Sequence, residues 1–308
     1  MNLTKEKQKI LKNIGLIALD LDRTTLTRSG LTRRTKECLE EAIRRGYQVV
    51  IATGRPYVAL PKSIKEIEGL KYVITSNGAL IIDLSSGESL FSDYIPSDAS
   101  RWCRDYLRPL GFPIEVFTGG KAYTGHDRYD WAKANIGIVD GARYVSRTRK
   151  PVDDIWQFWE DHEDRIENVN IIFSDQEDKK RLRKELKARQ KIGFTLTSSM
   201  VNNLEIGGKN TSKANALDVF SRISGIPLDR VISFGDGHND LAMIRESGFG
   251  VAMGNAIDEL KEAADFVTLT NEEEGVCYAL RLLLFKEKNG VPERARKLFS
   301  LFRKGKKK

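Results

Sequence analysis

Four aspartates follow directly on two short apolar runs of the chain, and they are the strongest candidates for a reactive site. The runs cover 16–19 and 231–234, and the aspartates are Asp20, Asp22, Asp236 and Asp240. Ligands of open parallel sheets bind beyond the carboxyl ends of the strands, so these side chains converge if both runs are strands of one sheet. Carboxylates about 4 Å apart repel each other by several kcal/mol at intermediate dielectric, which predicts a bound cation. Oxygen ligands without a histidine or cysteine cluster favour Mg²⁺ over zinc or copper.

A second group of residues is typical of phosphate binding. Ser212 and Lys213 come after a Gly-Gly turn and at the start of a helix predicted over 214–223. A lysine beside the free N–H groups of a helix start is well suited to bind phosphate. Thr53 and Gly54, which follow another apolar run, offer a hydroxyl and an accessible N–H to the same anion. Carboxylates, Mg²⁺, lysine and threonine together indicate phosphoryl transfer, and without a nucleotide-binding loop an aspartate itself is the expected nucleophile.

The elements that must hold these residues indicate an α/β fold. Four short apolar runs lie at 16–19, 47–52, 72–74 and 231–234. They lack the polar alternation of a half-exposed strand, which is typical of strands buried on both faces of a parallel sheet. Between the first two runs lies an apolar helical stripe, with Thr32 as the predicted N-cap and Gly46 as the predicted stop. Strand, helix and strand in this order predict βαβ units.

The middle of the chain follows a different pattern. Strand-like stretches on both sides of a Ser-Ser-Gly turn at 85–87 predict a hairpin, and helices are predicted at 100–110 and 177–191. Helical and strand-like segments do not alternate here as they do on the flanks, which indicates a second, α+β domain inserted into the first. The predicted domains are a core formed by 1–84 and 206–285, an inserted domain over 85–205 and a basic C-terminal tail over 286–308.

The net charge of +8 is located in the C-terminal tail. Residues 286–308 hold ten basic and two acidic side chains, a charge of +8, so the rest of the chain sums to zero. A neutral body argues against nucleic-acid binding. The apolar residues of the tail share one helical face. This is more typical of a helix packed on its own domain than of the alternative, contact with a membrane.

Cysteine usage and the lack of long apolar segments predict a cytoplasmic protein. The three cysteines lie far apart in sequence without a CxxC pair, and they are expected to be free thiols in a reducing compartment. No apolar stretch approaches the roughly 18 residues of a membrane span. The polar segment before residue 14 is followed by too few apolar residues for a signal peptide.

Four motifs in order resemble those of the haloacid dehalogenase (HAD) superfamily. They are Asp-Leu-Asp-Arg-Thr-Thr-Leu at 20–26, Ala-Thr-Gly-Arg at 52–55, Ser-Lys at 212–213 and Gly-Asp-Gly-His-Asn-Asp at 235–240. Three further segments, 76–79, 251–256 and 259–265, are similar to the Cof-like branch of that family. The resemblance extends over both flanks of the chain. It implies a Rossmann-like parallel-sheet core with an α+β cap of the C2 type inserted between the second and third motifs.

The resemblance implies a role for each candidate residue. Asp20 corresponds to the nucleophile and a Mg²⁺ ligand, and Asp236 to the other aspartate ligand. Asp22 corresponds to the general acid that protonates the leaving oxygen and then activates water, with its main-chain carbonyl on the metal. Burial is expected to raise the pKa of Asp22 for that role. Thr53 and Lys213 correspond to the pair that binds the phosphoryl group.

Four more residues belong to the implied site. The backbone at Leu21 and Gly54 is implied to assist in binding the phosphoryl group. Asn239 corresponds to a contact on the phosphate side. Asp240 corresponds to a residue that orients Lys213 or the water on the metal.

Arg23 departs from the family pattern. Cof-like members usually have Gly-Thr-Leu after the second aspartate, where this chain has Arg-Thr-Thr. This departure adds a positively charged guanidinium group beside the predicted site. Our hypothesis is that Arg23 binds a second anionic group of the substrate.

The function implied is that of a Mg²⁺-dependent phosphatase acting on a small phosphorylated metabolite through an aspartyl-phosphate. A sugar phosphate is the substrate class that the resemblance favours. Two alternatives stay open at this point: a phosphomutase, which uses the same aspartate chemistry, and a weakly active regulatory protein that binds a phosphorylated ligand.

Overall fold

The structure, a computed structural model, describes residues 4–138 and 141–286. The described chain packs into two compact units. The first contains 4–51, 66–71 and 221–286, and the second contains 52–65, 72–138 and 141–220. The C-terminal tail predicted over 286–308 lies, apart from its first residue, outside the described residues.

The described chain forms strands from both flanks and from the middle. In chain order they are β1 (Leu16–Asp20), β2 (Gln48–Ala52), β3 (Tyr72–Thr75), β4 (Leu80–Asp83), β5 (Ser89–Ser92), β6 (Ile114–Thr118), β7 (Lys121–Gly125), β8 (Arg149–Val152), β9 (Asn168–Ile172), β10 (Thr195–Thr197), β11 (Asn203–Gly207), β12 (Val231–Gly235), β13 (Phe249–Ala252) and β14 (Phe266–Val267).

On the flanks of the chain helices alternate with strands, whereas in the middle several helices or strands follow one another. In chain order they are α1 (Lys5–Asn13), α2 (Arg33–Arg44), α3 (Lys62–Lys65), α4 (Ser97–Leu107), α5 (His126–Ala134), α6 (Ala142–Thr148), α7 (Ile155–Asp161), α8 (Gln176–Lys187), α9 (Lys213–Ser224), α10 (Leu241–Glu246), α11 (Asp258–Ala263) and α12 (Gly275–Leu283).

The first unit is built on parallel strands in the order β14-β13-β12-β1-β2. The pairs β1–β12, β12–β13 and β13–β14 are parallel, and Leu16 lies opposite Val231 while Leu19 lies opposite Phe234. Every residue of β1 and β12 is buried, as expected for strands covered on both faces. Because β1 and β12 are parallel and in register, Asp20 and Asp236 follow at the same edge of the sheet. This confirms the predicted parallel core.

Helix α2 illustrates how the sequence sets the limits of an element. The Thr32 hydroxyl accepts a hydrogen bond from the N–H of Thr35 and caps the helix start. The helix ends at Arg44, and Gly46 follows with φ = 92°, a conformation that glycine adopts without a steric penalty. Cys38 and Leu39 lie on its buried face, which contacts α12. The predicted cap, stripe and stop are all confirmed.

The second unit contains the antiparallel strands β3-β4-β5 and a six-stranded sheet in the order β10-β11-β9-β6-β7-β8. The hairpin predicted around 85–87 is confirmed as β4 and β5. In the six-stranded sheet, β7 and β8 are parallel and the other pairs are antiparallel. This separate mixed sheet, which we call the cap sheet, agrees with the inserted α+β cap that the family resemblance implies.

The two faces of the cap sheet differ in chemistry. On one face, alternate residues such as Val116, Ile171 and Leu204 enter a buried apolar cluster with Trp159 from α7. The residues between them point to the other face, which carries buried polar groups from neighbouring strands. They include Glu115, Asn170, Asn203 and Glu205.

Other expectations on the body of the chain can be compared with the structure. All three cysteines are free and buried, as predicted. The domain limits at 85 and 205 stay predictions. Among the described residues, the helices are all too short or too polar to cross a bilayer.

Candidate active site

The loop after β1 presents Asp20 at the end of the strand. Asp20 is the last residue of β1 and is 6% exposed. The carbonyl of Leu21 accepts hydrogen bonds from the N–H groups of Thr25 (3.0 Å) and Leu26 (2.9 Å), and the Thr25 hydroxyl donates to the Asp20 carbonyl at 2.6 Å. These bonds close a tight turn directly after the strand. Asp22 lies within that turn and is exposed, so the burial expected for it is not found.

Arg23 adopts a left-handed backbone conformation with φ = 60°. Such a φ is uncommon outside glycine, the residue that the family pattern has here. The side-chain amide of Asn255 donates to the Arg23 carbonyl at 2.9 Å and holds it in place. The guanidinium Nε lies 3.8 Å from Asp236 Oδ2, and the Arg23 side chain is 72% exposed. A largely solvated positive charge therefore stands beside the aspartates.

The loop after β12 is closed by Asp240. One carboxylate oxygen of Asp240 accepts hydrogen bonds from the N–H groups of Asp236 (3.0 Å) and Gly237 (2.9 Å). A Cβ at Gly235 would lie 2.4 Å from the Asp240 Cβ, so only glycine fits there. The Thr24 hydroxyl donates to Asp236 Oδ1 at 2.9 Å and links this loop to the one after β1. Asp236 is therefore held by its own loop and by its neighbour.

Three of the predicted carboxylates form a cluster in the first unit. Asp20, Asp236 and Asp240 each place one carboxylate oxygen within 4.8 Å of the others, and all three residues are buried. Two unit charges at that separation repel by about 3 kcal/mol at an effective dielectric constant of 20. A divalent cation relieves this repulsion, and the all-oxygen donor set fits Mg²⁺. The Asp22 carboxylate is outside this cluster. The role of the Asp22 main-chain carbonyl as a metal ligand stays a prediction.

The second unit contains the predicted phosphate-binding residues. Thr53 follows β2, is 1% exposed, and its hydroxyl accepts a hydrogen bond from the N–H of Arg55 at 3.1 Å. Its N–H donates to the Ile74 carbonyl (2.9 Å) and its carbonyl accepts from the N–H of Asn77 (3.0 Å). A Cβ at Gly54 would lie 3.0 Å from the Asn77 side-chain oxygen. The Thr53–Gly54 loop is thus packed on the turn that follows β3.

Lys213 begins α9 and is 1% exposed. The Ser212 hydroxyl accepts a hydrogen bond from the N–H of Asn215 at 3.0 Å and caps the helix. On the other side, a Cβ at Gly78 would lie 2.2 Å from the Ser212 carbonyl oxygen and 3.2 Å from the Ala216 Cβ. The start of α9 therefore packs on the same turn as Thr53–Gly54. An ammonium group at a helix N-terminus is a suitable anion site.

The turn after β3 has three successive left-handed residues. Ser76, Asn77 and Gly78 have φ of 51°, 57° and 105°, and all three are buried. For a residue other than glycine this conformation costs of the order of 1–3 kcal/mol, so the surroundings must enforce it. Two buried carboxyl groups contact the turn. The Ser76 hydroxyl donates to Glu167 at 2.8 Å, and the Asn77 amide donates to Glu205 at 2.7 Å.

The two carboxyl groups under this turn have raised pKa values. Burial raises the pKa of Glu167 to about 7, although hydrogen bonds from the Gly120 N–H and the Ser76 hydroxyl lower it. Burial also raises the pKa of Glu205, although hydrogen bonds from three side chains and the charge of Lys213 act to lower it.

The predicted residues fall into two groups by unit. Asp20, Leu21, Asp22, Asp236, Asn239 and Asp240 belong to the first unit, and Thr53, Gly54 and Lys213 belong to the second. The sequence analysis missed Thr24, Asn255, Glu167 and Glu205. The first two lie inside the family-like segments 20–26 and 251–256 and could have been inferred from them. The two glutamates carry no such signal.

Comparisons with known proteins show the family to which the chain belongs. The profile of a family described as haloacid dehalogenase-like hydrolase matches residues 17–280. A solved structure of a haloacid dehalogenase-like hydrolase from Bacillus subtilis superposes with a TM-score of 0.77 at 30% identity, over 88% of this chain and 100% of that one.

Curated relatives are also similar over nearly their whole length. The phosphatase YwpJ of Bacillus subtilis is 33% identical over 291 residues, which cover 87% of this chain and 99% of the relative. The 5-amino-6-(5-phospho-D-ribitylamino)uracil phosphatase YwtE of the same organism is 32% identical over 87% of this chain and 97% of its own.

Proposed function

Because the chain belongs to the haloacid dehalogenase-like hydrolases, as a phosphatase of the Cof-like branch, we propose that it hydrolyses a small phosphomonoester through an aspartyl-phosphate on Asp20. The general reaction, hydrolysis of a phosphoric monoester, follows from the family and the relatives. The observation that carries the mechanism is the cluster of Asp20, Asp236 and Asp240 at the strand ends.

We propose that the carboxylates of Asp20 and Asp236 and the carbonyl of Asp22 hold Mg²⁺. The mutual repulsion of the clustered carboxylates and their all-oxygen donor set support a hard divalent cation. When bound, Mg²⁺ supplies positive charge that offsets the charge of the phosphoryl oxygens. The Asp240 oxygen is already committed to two backbone N–H groups, which fits its proposed role of orienting its neighbours.

In the proposed reaction, a carboxylate oxygen of Asp20 attacks phosphorus and the bond to the ester oxygen breaks. The Asp22 carboxyl group donates its proton to that leaving oxygen. Water then attacks the phosphorus of the aspartyl-phosphate, and Asp22 takes the proton. Inorganic phosphate leaves and the Asp20 carboxylate is restored.

We propose that Lys213, Thr53 and Gly54 bind the phosphoryl oxygens. Lys213 offers its ammonium group, Thr53 its hydroxyl and Gly54 its N–H, with Leu21 N–H and Asn239 assisting. The burial of Lys213 at the start of a helix supports this role, because an anion there gains both the charge and the helix dipole.

The substrate class we propose is a phosphate ester of a sugar or of a similar polyhydroxylated chain. It is supported by the ribitylaminouracil phosphatase activity in the name of a relative that is 32% identical. A phosphorylated metabolite is thus the expected partner. A cytoplasmic location stays a prediction from the sequence.

Phosphate release from a panel of esters tests the proposal. The panel contains sugar phosphates, 5-amino-6-(5-phospho-D-ribitylamino)uracil, nucleotides and a chromogenic aryl phosphate, each with Mg²⁺ and with EDTA. We expect release that requires both Mg²⁺ and Asp20, with the Asp20→Asn protein as the matched control. Formation of a phosphate isomer without free phosphate would instead indicate a mutase. Ligand binding without any turnover by the folded protein would indicate the regulatory alternative.

A further inference from the structure

A chain of side-chain hydrogen bonds crosses the polar face of the cap sheet and ends at the turn of residues 76–78. It begins at Glu115, whose carboxylate accepts from Arg149 (2.7 Å) and Arg128 (2.8 Å). The Asn170 amide donates to the same carboxylate at 3.0 Å, and the Asn203 amide donates to Asn170 at 3.0 Å. These residues lie side by side because Glu115 pairs with Asn170 across β6 and β9.

Glu205 is the last member of this chain. It lies opposite Asn170 across β11 and β9, and it is 4% exposed. One carboxylate oxygen accepts from Asn203 (2.9 Å) and Ser199 (2.7 Å), and the other accepts from the Asn77 amide at 2.7 Å. Glu205 therefore joins the cap sheet to the turn after β3.

The Asn77 side chain lies between Glu205 and the Thr53–Gly54 loop. Its oxygen is the atom that a Cβ at Gly54 would meet at 3.0 Å, while its nitrogen donates to Glu205. The adjacent Gly78 contacts the Ser212 carbonyl, directly before Lys213. A movement of Asn77 would therefore reach both loops that are proposed to bind phosphate.

We propose that Glu205 is a positioning residue, which acts through Asn77 to hold the Thr53–Gly54 loop and the start of α9 in their phosphate-binding arrangement. This inference rests on the proposed function of those loops. The left-handed φ of Asn77 and the full burial of its partner support it, because such a turn keeps its shape only under enforced contacts. The positive charge of Lys213 also acts to lower the pKa of Glu205, which indicates that the ammonium and the carboxylate are near each other.

The first test compares Glu205→Ala with Glu115→Ala. Both variants remove a buried carboxylate from the same hydrogen-bonded chain, but only the first loses the contact with Asn77. We expect Glu205→Ala to lower kcat/KM for an aryl phosphate about 10-fold or more and to weaken inhibition by inorganic phosphate by a similar factor. Glu115→Ala should leave inhibition by inorganic phosphate within about 2-fold of the wild type.

Two further variants make the test independent of folding defects. Glu205→Gln keeps an oxygen that can accept from Asn77, so it should restore most of the phosphate inhibition lost in Glu205→Ala. Asn77→Gly keeps the left-handed turn and removes the amide, so it should weaken inhibition as Glu205→Ala does. If Glu205→Ala does not fold, the comparison of Asn77→Gly with wild type decides the question alone.

The outcomes separate this inference from the proposed function. Wild-type phosphate release with unchanged phosphate inhibition in both Glu205→Ala and Asn77→Gly would overturn the positioning role and leave the phosphatase mechanism standing. Equal losses in Glu205→Ala and Glu115→Ala would also overturn it, since the role would then be one of cap stability. Absence of phosphate release from the wild-type protein would overturn the proposed function instead.

Discussion

The carboxyl groups of Glu115 and Glu167 are both fully buried, yet their surroundings shift their pKa values in opposite directions. Burial acts to raise the pKa of Glu115, but Arg149 and Arg128 outweigh it and lower the pKa to about 2. Glu167 accepts hydrogen bonds from neutral donors, so burial dominates and raises its pKa to about 7. Their contributions to the pH dependence of stability therefore have opposite signs.

For Glu167→Gln we expect a gain in stability that grows with pH. A carboxyl group with a raised pKa in the folded protein contributes stability below its unfolded pKa of 4.5, and that contribution is lost as pH rises to about 7. This pKa shift corresponds to about 3 kcal/mol of stability that the wild-type protein loses as Glu167 ionises. The glutamine amide does not ionise, so the variant avoids this loss. Urea unfolding of variant and wild type between about pH 5 and pH 8 measures the difference.

Glu115→Gln is the matched control for this series. In the wild-type protein the Glu115 carboxylate contributes stability above the unfolded pKa of 4.5, and this contribution is lost as pH falls towards 2. Near pH 7 the substitution leaves the buried guanidinium group of Arg149 and the partly buried one of Arg128 without their carboxylate, at a cost of about 3 kcal/mol or more. A stability difference for Glu167→Gln that does not change with pH would contradict the assignment of its raised pKa.

The backbone of Arg23 offers a separate prediction at the same scale. Arg23→Gly should raise the free energy of unfolding by about 1 kcal/mol, because glycine adopts a φ of 60° without the Cβ penalty. Arg23→Ala removes the guanidinium but keeps the strain, so it should give no such gain. Equal stabilities of the two variants in urea unfolding would show that the turn is not strained.

The same Arg23→Gly protein tests the hypothesis that Arg23 binds a second anionic group of the substrate. An unchanged preference between mono- and polyanionic esters would contradict that hypothesis.

Close contact between elements is clearest at Gly78, where the turn after β3 meets α9. A Cβ there would lie 2.2 Å from the Ser212 carbonyl oxygen, whereas a Cβ at Gly30 would meet nothing within 4 Å. The two glycines have nearly the same φ, 105° and 102°. We expect Gly78→Ala to cost about 3 kcal/mol or more, since backbone atoms must move.

Gly30→Ala isolates the conformational part of that cost. It should lower the free energy of unfolding by only about 1–2 kcal/mol, because strain in φ is the only penalty. Urea unfolding of both variants gives the comparison. A cost for Gly78→Ala no larger than that for Gly30→Ala would mean that α9 does not pack on the turn as described.

The elements were largely predictable from sequence where local signals and burial agree. The helix predicted over 214–223 is observed as α9 (Lys213–Ser224), and the one over 177–191 as α8 (Gln176–Lys187). The helix predicted over 100–110 begins earlier, at Ser97, directly after Pro96, because proline is well suited to precede a helix start.

The polar face of the cap sheet was not predictable. In β11 the residues Leu204, Glu205 and Ile206 alternate as in a strand with one solvated face, and such a pattern places the glutamate in water. In the structure that face is covered and Glu205 is buried. Burial on both faces depends on contacts distant in sequence, which one alternating segment cannot reveal.

At the scale of the whole molecule, metal binding and folding should be linked through the aspartate cluster. A cation that binds only the folded protein raises the free energy of unfolding by about 2.7 kcal/mol at 100 times its dissociation constant. We expect Mg²⁺ to stabilise the wild-type protein against urea and Asp236→Asn to abolish that gain. Asp258→Asn, at a carboxylate 96% exposed and outside the cluster, should retain it. Stabilisation of the Asp236→Asn protein by Mg²⁺ as large as in the wild type would contradict the proposed metal site.

The central claim is that the phosphoryl group passes through Asp20, and trapping that intermediate tests it most directly. An aryl phosphate needs little help from an acid as its leaving group departs, so Asp22→Asn should still form the aspartyl-phosphate but hydrolyse it slowly. Acid quenching of Asp22→Asn with a phosphorus-labelled aryl phosphate and Mg²⁺, followed by peptide mapping, should place the label on Asp20. The double variant with Asp20→Asn should carry none. Label on another residue, or an unlabelled Asp22→Asn protein that still releases phosphate at the wild-type rate, would contradict the mechanism.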